Sequence, residues 1–238
     1  MEVIILAGGF GKRLQSVVHD VPKPMADIKG RPFLAYLLDY FLKQQATRFL
    51  LSVGYKQEQI VSYFGSRYKD REIVYVREDE PLGTGGAIRA ALLRAQEDTV
   101  IAANGDSFLA VDLSRMLKLH AARFADMTMA VTKAAESGRY GTVQIEGERV
   151  TGFLEKSHDR SGYINGGVYV LNRDRILNLT EEQGRTFSFE TDFLQKTMEK
   201  TRVFVYSTAG YFIDIGVPED YKRAQNESHR FQEQEAGT

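Results

Sequence analysis

The first fourteen residues of the chain constrain its fold more than any other segment. Residues 2–7, with the sequence EVIILA, contain an apolar run of five residues that is typical of a buried strand. They lead directly into GGFGKRL at residues 8–14. Because glycine has no Cβ, the backbone N–H groups of such a loop can close around phosphate oxygens. A glycine loop after a first strand is typical of the carboxyl edge of an α/β sheet, where nucleotides bind. The segment therefore predicts an α/β fold with a phosphorylated ligand.

Strand and helix patterns alternate along the first half of the chain. Strands are predicted over 48–55, 72–76 and 99–103, with helices beginning at Pro32 and spanning 57–64 and 87–95. This rhythm predicts a Rossmann-like, mainly parallel sheet flanked by helices.

The second half of the chain has a different pattern. Strands are predicted over 127–132, 141–145, 149–155, 163–171 and 202–206, and helices over 188–200 and 218–227. Little helix separates the strands between 141 and 171, which indicates antiparallel neighbours and hence a mixed sheet. We expect one domain over residues 1–225 and a polar C-terminal tail over 226–238.

Composition narrows the class of protein. The 238 residues are 43% hydrophobic, as in a globular protein, and the net charge of −1 gives no field that would attract nucleic acid or an anionic membrane. The absence of cysteine excludes disulfides and thiolate metal sites and favours a reducing compartment. No apolar run approaches the roughly 18 residues that span a bilayer. We expect a cytoplasmic protein.

Cations follow the glycine loop closely. Lys12 and Arg13 lie on the loop itself, and Lys23 lies between Pro22 and Pro24. Arginine can bind two phosphate oxygens at once, and the stiff backbone around Lys23 fixes the direction of its ammonium group. The alternatives are a tight strand-to-helix turn for the loop and an ordinary surface position for Lys23.

Two acidic residues are candidate metal ligands. Asp106 follows the predicted strand 99–103 at the same sheet edge as the glycine loop, where a carboxylate beside phosphates suits Mg²⁺. The alternative is an aspartate that caps the next helix. Asp214 interrupts the apolar stretch 212–216, and a buried carboxylate needs a partner or a metal. Together the two acids could hold one ion from opposite sides.

Two better-known nucleotide folds and several catalytic types do not fit the sequence. The glycine loop is neither G-x-G-x-x-G nor G-x-x-x-x-G-K-[ST], which argues against a dinucleotide-binding oxidoreductase and a P-loop protein. The four histidines show no metal-ligand spacing and suggest no Ser-His-Asp arrangement.

Eight short motifs occur in an order that resembles the sugar-1-phosphate nucleotidylyltransferase family. They are LAGGFGKRL (6–14), PKPM (22–25), LGTGG (82–86), NGD (104–106), YG (140–141), EK (155–156), NGG (165–167) and DIG (214–216). The resemblance covers about residues 1–225. It implies the nucleotide-diphospho-sugar transferase type of fold, without a C-terminal β-helix. It also implies that a nucleoside triphosphate and a sugar 1-phosphate react to give a nucleotide sugar and pyrophosphate.

The resemblance assigns roles to individual residues. The nucleotide would be bound by Leu6, Ala7, Gly8, Gly9, Gly11, Lys12, Arg13, Lys23, Glu80, Gly83 and Asp106. The sugar phosphate would be bound by Tyr140, Gly141, Glu155, Lys156, Asn165 and Glu190. Arg13, Lys23 and Asp106 are the expected catalytic residues, and Asp106 and Asp214 are the expected Mg²⁺ ligands.

The substrates are a finer expectation. Residues 80–88, 187–190 and 211–221 are most similar to members that join GTP to D-glycero-α-D-manno-heptose 1-phosphate. Guanine presents N–H donors, and Glu78, Asp79 or Glu80 could supply an acceptor. Open alternatives are an N-acetylmuramate 1-phosphate uridylyltransferase, a mannose 1-phosphate guanylyltransferase and a non-catalytic sugar-nucleotide-binding protein. The sequence is compatible with a homodimer.

Overall fold

The computed structural model describes residues 1–11, 13–14, 17–134, 142–154 and 162–232. The strands are β1 (Glu2–Ala7), β2 (Asp27–Ile28), β3 (Arg31–Pro32), β4 (Arg48–Val53), β5 (Arg67–Tyr68), β6 (Arg71–Arg77), β7 (Thr99–Asn104), β8 (Ser107–Leu109), β9 (Met127–Ala134), β10 (Thr142–Glu146), β11 (Arg149–Leu154), β12 (Gly162–Asn172), β13 (Val203–Ser207) and β14 (Phe212–Asp214).

The α-helices are α1 (Phe33–Lys43), α2 (Gln57–Phe64), α3 (Gly83–Leu92), α4 (Leu113–Ala122), α5 (Arg173–Leu179), α6 (Gln195–Thr197) and α7 (Pro218–Glu227). Short 3₁₀ turns span Lys23–Met25 and Ser228–Gln232, and a π-helical segment, Phe189–Leu194, leads into α6. No helix in the described ranges has the length and hydropathy of a membrane-spanning segment.

Ten strands form one mixed sheet in the order β10-β11-β13-β9-β12-β7-β1-β4-β6-β5. The neighbours β7, β1, β4 and β6 are parallel, as the alternating pattern of the first half predicts. β12 pairs antiparallel with both β7 and β9, which confirms the expected antiparallel addition. The described part of the chain contains no β-helix.

Helices cover both faces of the sheet around β1. Val3 and Ile5 pack in the cluster that includes α1, whereas Ile4 packs on the opposite face with residues of α3. All three side chains are fully buried, because a parallel strand between two helical layers has no solvent-facing side. This is why the first strand is apolar at consecutive positions from Val3 to Ala7 rather than at alternate positions.

The hydrophobic core includes residues beyond position 225, where the sequence predicts that the domain ends. α7 ends at Glu227, and the 3₁₀ turn Ser228–Gln232 then inserts Phe231, which is 1% exposed. The Phe231 ring contacts Phe33 and Phe108 at centroid distances of 5.6 and 5.2 Å. The expected domain boundary at residue 225 is therefore too early, because one apolar residue in a polar segment carries the core contact. Residues 233–238 lie outside the described ranges.

Two helices also differ from the sequence prediction. α3 begins at Gly83 rather than at residue 87, so the second glycine loop forms the first turn of the helix. The helix predicted over 188–200 begins as a π-helical segment and ends at Thr197. Glycine disfavours helix in isolation, and here tertiary packing overrides that preference.

Candidate functional site

A cleft of about 290 Å³ opens at the carboxyl edge of the parallel strands. The ends of β1, β4 and β7 meet there because the three strands are parallel and adjacent. Seven predicted nucleotide-binding residues line the cleft, namely Leu6, Gly8, Gly9, Gly11, Lys23, Gly83 and Asp106. Ala7 is buried in the strand below it. The glycine loop is therefore part of a ligand-sized cleft, which argues against a simple turn.

Lys23 is buried between two acids rather than exposed on the surface. Its side chain is 7% exposed, and its Nζ lies 2.6 Å from Asp106 Oδ2 and 3.2 Å from Asp214 Oδ1. A buried ammonium group needs such partners, because desolvation without compensation is costly. The three charged residues, which we call the charged cluster, bring together both predicted metal ligands and one predicted catalytic cation.

A small second sheet explains how acids so distant in sequence meet. β8 follows Asp106 directly and pairs antiparallel with β14, which places Asp214 opposite Ser107. The backbone N–H of Ile215 donates to the Asp106 carbonyl at 3.0 Å. The backbone N–H of Gly216 donates to Asp214 Oδ1 at 2.7 Å and fixes that carboxylate.

The acids of the charged cluster fit a divalent cation of the Mg²⁺ type. Two carboxylate oxygens that share one ammonium group are close enough to share one metal ion, and 41% exposure of Asp106 leaves it open to the cleft. Within the described ranges, no three or more acidic, histidine or cysteine side chains form a metal-binding group. Mg²⁺ held by one or two carboxylates commonly completes its octahedron with phosphate oxygens and water.

Glu78 is the acidic residue that enters the cleft. Its carboxylate accepts hydrogen bonds from Ser52 Oγ at 2.8 Å and from the backbone N–H of Leu82 at 3.1 Å. A Cβ at position 8 would collide with Glu78 Oε1, so a larger residue there would displace this carboxylate from its present position. Glu80, the acid chosen from the sequence, is exposed and does not line the cleft. The structure thus moves the acidic candidate from Glu80 to Glu78, because β6 delivers the first residue after the strand into the cleft.

Asn165 and Glu190 lie together, as the predicted sugar site requires. Asn165 Nδ2 donates to Glu190 Oε1 and, at 2.6 Å, to the hydroxyl of Tyr169. The Tyr169 hydroxyl also lies 3.3 Å from Glu190 Oε1, and burial raises the pKa of this phenol well above its usual value. The hydroxyl is therefore a permanent hydrogen-bond donor.

This polar group adjoins the glycine-lined cleft through the sheet. β12 pairs with β7 so that Val168 lies opposite Ala103, which puts Gly167 beside Asn104 of the cleft. The register between β12 and β9 shifts between Asn165 and Tyr169. Such irregularities redirect side chains and are frequent beside active sites.

The remaining predicted residues are less informative. Arg13 is exposed in the turn that follows the glycine loop. The other predicted residues, Lys12, Tyr140, Gly141, Glu155 and Lys156, lie outside the described ranges.

Sequence reasoning missed Tyr169 and Thr84, since an aromatic residue in an apolar strand looks like core and a threonine between glycines looks like part of a turn. Glu78 carries a usable signal, because it is the first acid after a predicted strand.

Comparisons with known proteins agree with this geometry. A protein-family model described as nucleotidyl transferase matches residues 2–230. The D-glycero-alpha-D-manno-heptose 1-phosphate guanylyltransferase of Aneurinibacillus thermoaerophilus is 46% identical over 231 residues, covering 97% of this chain and 100% of that protein. A mannose-1-phosphate guanylyltransferase of Mycobacterium tuberculosis is 33% identical, covering 94% of this chain and 63% of its own length.

A solved structure supports the fold. The crystal structure of HddC from Yersinia pseudotuberculosis complexed with GMP-PN matches with a TM-score of 0.85 and 36% identity, covering 95% of this chain and 99% of that one. The likeness confirms the expected nucleotide-diphospho-sugar transferase fold. The family match over residues 2–230, together with 46% identity to a relative covered over its full length, identifies this chain as a member of the nucleotidyl transferase family.

Proposed function

We propose that this nucleotidyl transferase transfers GMP from GTP to D-glycero-α-D-manno-heptose 1-phosphate and releases pyrophosphate. The observation that carries the proposal is the charged cluster of Lys23, Asp106 and Asp214 at the edge of a glycine-lined cleft. The choice of sugar rests on similarity, because the heptose-specific relative is 46% identical and the mannose-specific relative 33%.

Guanine is the base that best suits the acid in the cleft. Its N1–H and N2–H₂ groups are donors on one edge, and a carboxylate offers acceptors without a competing donor. Glu78 lines the cleft and is held by Ser52 and the Leu82 N–H, so its orientation is set before the nucleotide binds. Uracil and thymine have one ring N–H between two carbonyl groups, so a carbonyl oxygen would face the carboxylate where guanine presents its second donor.

The chemistry needs neutralisation of charge rather than a strong base. The attacking sugar-phosphate oxygen is already anionic near neutral pH, so the barrier is repulsion between two polyanions and charge on the leaving pyrophosphate. Lys23 would neutralise and orient the α-phosphate, and Arg13 would stabilise the departing pyrophosphate. Asp106 and Asp214 would hold Mg²⁺, which when bound supplies Lewis-acid stabilisation to the reacting phosphates.

The sugar half of the site would use the neighbouring polar group. Asn165 and Glu190 offer an amide and a carboxylate to sugar hydroxyls. The Tyr169 hydroxyl contacts both side chains and would hold them in place. Tyr140, Gly141, Glu155 and Lys156 are assigned to the same substrate by their motifs, with Lys156 on its phosphate. Asn165 Oδ1 accepts the backbone N–H of Gly167, which lies beside Asn104 of the cleft, and this supports a sugar site next to the proposed nucleotide site.

Arg13 and Asp106 carry the largest expected kinetic effects. Substitution of either residue by alanine removes charge stabilisation that acts on the transition state, so we expect kcat to fall by at least ~10²-fold. Asp70→Ala, at an exposed acid in the turn between β5 and β6, is the matched control and should keep wild-type turnover. Near-normal kcat in either site variant would remove that residue from the mechanism.

A substrate panel tests the proposed function. Pyrophosphate release is measured with GTP, UTP, CTP and dTTP, each paired with heptose, mannose and N-acetylmuramate 1-phosphates in the presence of Mg²⁺. The proposal predicts the highest kcat/KM for GTP with the heptose. Faster release from UTP and N-acetylmuramate 1-phosphate would contradict it, and absence of release from every pair would favour a non-catalytic sugar-nucleotide-binding protein.

A further inference from the structure

The second glycine motif packs against the segment that carries Glu190. Residues 185–189 run alongside residues 82–86, with the Phe187 N–H donating to the Leu82 carbonyl at 3.1 Å and the Gly85 N–H donating to the Phe187 carbonyl at 3.0 Å. The glycine motif lines the nucleotide cleft through Gly83 and Thr84. Backbone hydrogen bonds therefore connect the proposed nucleotide site to the segment that carries Glu190 of the proposed sugar site.

The glycines of this motif serve that packing. A Cβ at Gly83, whose φ is +68°, would lie 2.5 Å from the Phe187 carbonyl oxygen. A Cβ at Gly85 would collide with the Phe187 ring. The family resemblance assigns Gly83 to nucleotide binding, but in the structure the position of a Gly83 Cβ is blocked by the backbone of Phe187. Glycine is needed at these two positions because side chains there would clash with Phe187.

Thr84 makes a side-chain hydrogen bond between the two segments. Its Oγ1 accepts the backbone N–H of Phe189 at 2.9 Å. Phe189 is the first residue of the π-helical segment, and the first N–H groups of a helix have no partner within it. Thr84 thus caps, from the nucleotide cleft, the helical segment whose second residue is Glu190.

We propose that Thr84 is a positioning residue that fixes the sugar-side carboxylate Glu190 from the nucleotide side of the site. This inference rests on the proposed function, since it assumes that Glu190 binds the sugar. Because the Thr84 oxygen accepts from Phe189, its proton is directed away from that bond and can be donated to a group in the cleft that Thr84 lines. Nucleotide bound there would hold the cap in place and thereby improve the geometry at Glu190.

Kinetics of Thr84→Val and Thr84→Ser test the proposal. Valine keeps the shape of threonine but cannot accept the Phe189 N–H, whereas serine keeps the acceptor. We expect Thr84→Val to raise KM for the sugar phosphate by about 3- to 10-fold, the cost of one lost hydrogen bond, and to raise it more than KM for GTP. Thr84→Ser should remain within about 2-fold of wild type on both constants.

A double-mutant cycle separates positioning from a general loss of structure. If Thr84 acts through Glu190, Thr84→Val should add less than about 2-fold to KM for the sugar phosphate in a Glu190→Gln background. Full multiplication of the two effects, or a change confined to KM for GTP, would overturn the proposal. If Thr84→Val does not fold, Thr84→Ala removes the same acceptor and the same criteria apply.

The cycle uses whichever pair of substrates the wild-type enzyme turns over in the panel. A wild-type enzyme that prefers another base or sugar would contradict the proposed substrates without touching the role of Thr84. A wild-type enzyme that turns over the heptose, with an unaltered Thr84→Val variant, would contradict the role of Thr84 alone.

Discussion

At the scale of single residues, the charged cluster is the feature that most needs a physical explanation. A buried lysine 2.6 Å from Asp106 and 3.2 Å from Asp214 neutralises two carboxylates that would otherwise repel each other. The same two acids are the proposed metal ligands, so the ammonium group and a metal ion compete for the same oxygens. Occupancy by one should weaken occupancy by the other.

This competition gives a prediction for Lys23→Met. Without the ammonium group, the two acids repel each other and bind Mg²⁺ more readily, so Mg²⁺ should raise the Tm of the variant more than that of the wild type, by at least about 2 °C. Differential scanning fluorimetry with and without MgCl₂ measures the shift. Lys69→Met is the matched control, because Lys69 pairs with Asp39 on the surface at 2.7 Å. Equal Mg²⁺ shifts in Lys23→Met and wild type would contradict the competition.

A second prediction at this scale concerns the base. Glu78→Gln replaces an acceptor-only group with an amide that presents a donor, so we expect KM for GTP to rise by about 10-fold, as one or two charged hydrogen bonds are lost. Glu80→Gln makes the same chemical change two residues later at an exposed position and should leave KM unchanged. A larger effect at Glu80 than at Glu78 would restore the choice made from the sequence.

These residues also mark what the sequence could predict. Lys23 and Asp106 follow from local chemistry, since prolines and a strand end fix their surroundings. The pairing of Lys23 with Asp214 does not follow, because it depends on the contact between β8 and β14, two three-residue strands from distant parts of the chain. Glu78 could be separated from Glu80 only by knowing where β6 ends.

At the scale of secondary-structure elements, Asp126 ties the starts of β9 and β13 together. The carboxylate is fully buried and accepts hydrogen bonds from the Arg202 backbone N–H at 2.9 Å and the Arg202 guanidinium at 2.9 Å. It also accepts one from the Arg175 guanidinium at 3.1 Å. Burial alone would raise the pKa of Asp126, but the hydrogen bonds from Arg202 and Arg175 outweigh it and lower the pKa to about 2.

The pKa of Asp126 predicts acid sensitivity. Because its pKa is lower in the folded than in the unfolded protein, the group stabilises the fold above about pH 4, and this contribution, about 2 kcal/mol, is lost as pH falls towards 2. The free energy of unfolding of Asp126→Asn should therefore depend less on pH between 4 and 2, as measured by urea denaturation. Asp174→Asn, at an exposed ion pair with Arg173, should keep the wild-type dependence. An Asp126→Asn variant with the same dependence would contradict the account.

In the wild-type protein, His120 responds to pH over a higher range than Asp126. Burial lowers the pKa of its imidazole from 6.5 to about 4, with Asp126 opposing the shift. The unfolded chain takes up this proton first, so the destabilisation from His120 develops between pH 6.5 and 4, above the range that reports on Asp126.

Elements with clear periodicity were predictable, and those defined by packing were not. α2 and α7 span the predicted residues, because apolar spacing and an N-terminal proline mark them locally. The π-helical segment at 189–194 has no local signal. It depends on contacts from Thr84 and from the glycine motif, which sequence periodicity does not report.

At the scale of the whole molecule, the C-terminal turn closes the core beneath the sheet. Phe231 contacts aromatic residues of α1, of β8 and of the segment before β14, so one residue joins parts of the chain from both halves. A polar segment with a single phenylalanine gives little sign of this in the sequence. The same side chain explains why the domain continues past residue 225.

The core role of Phe231 predicts a large loss of stability. Phe231→Ala should lower the free energy of unfolding by about 3–5 kcal/mol, the usual cost of a deleted buried ring and the cavity that it leaves. Phe124→Ala is the control, because Phe124 is 77% exposed and should change the value by less than about 0.5 kcal/mol. Urea denaturation measures both. A loss below about 1 kcal/mol at Phe231 would mean that the turn does not close the core.

The central claim is that the cleft, the charged cluster and the Asn165–Glu190 group form one site that joins GTP to a heptose 1-phosphate. The most direct test is a competition, in which limiting GTP and Mg²⁺ are supplied with equal concentrations of D-glycero-α-D-manno-heptose 1-phosphate and mannose 1-phosphate. Because the product ratio reports the ratio of kcat/KM values, mass spectrometry of the two nucleotide sugars measures specificity directly. We expect GDP-heptose to exceed GDP-mannose by at least about 10-fold. An equal mixture, an excess of GDP-mannose or no nucleotide sugar would contradict the claim.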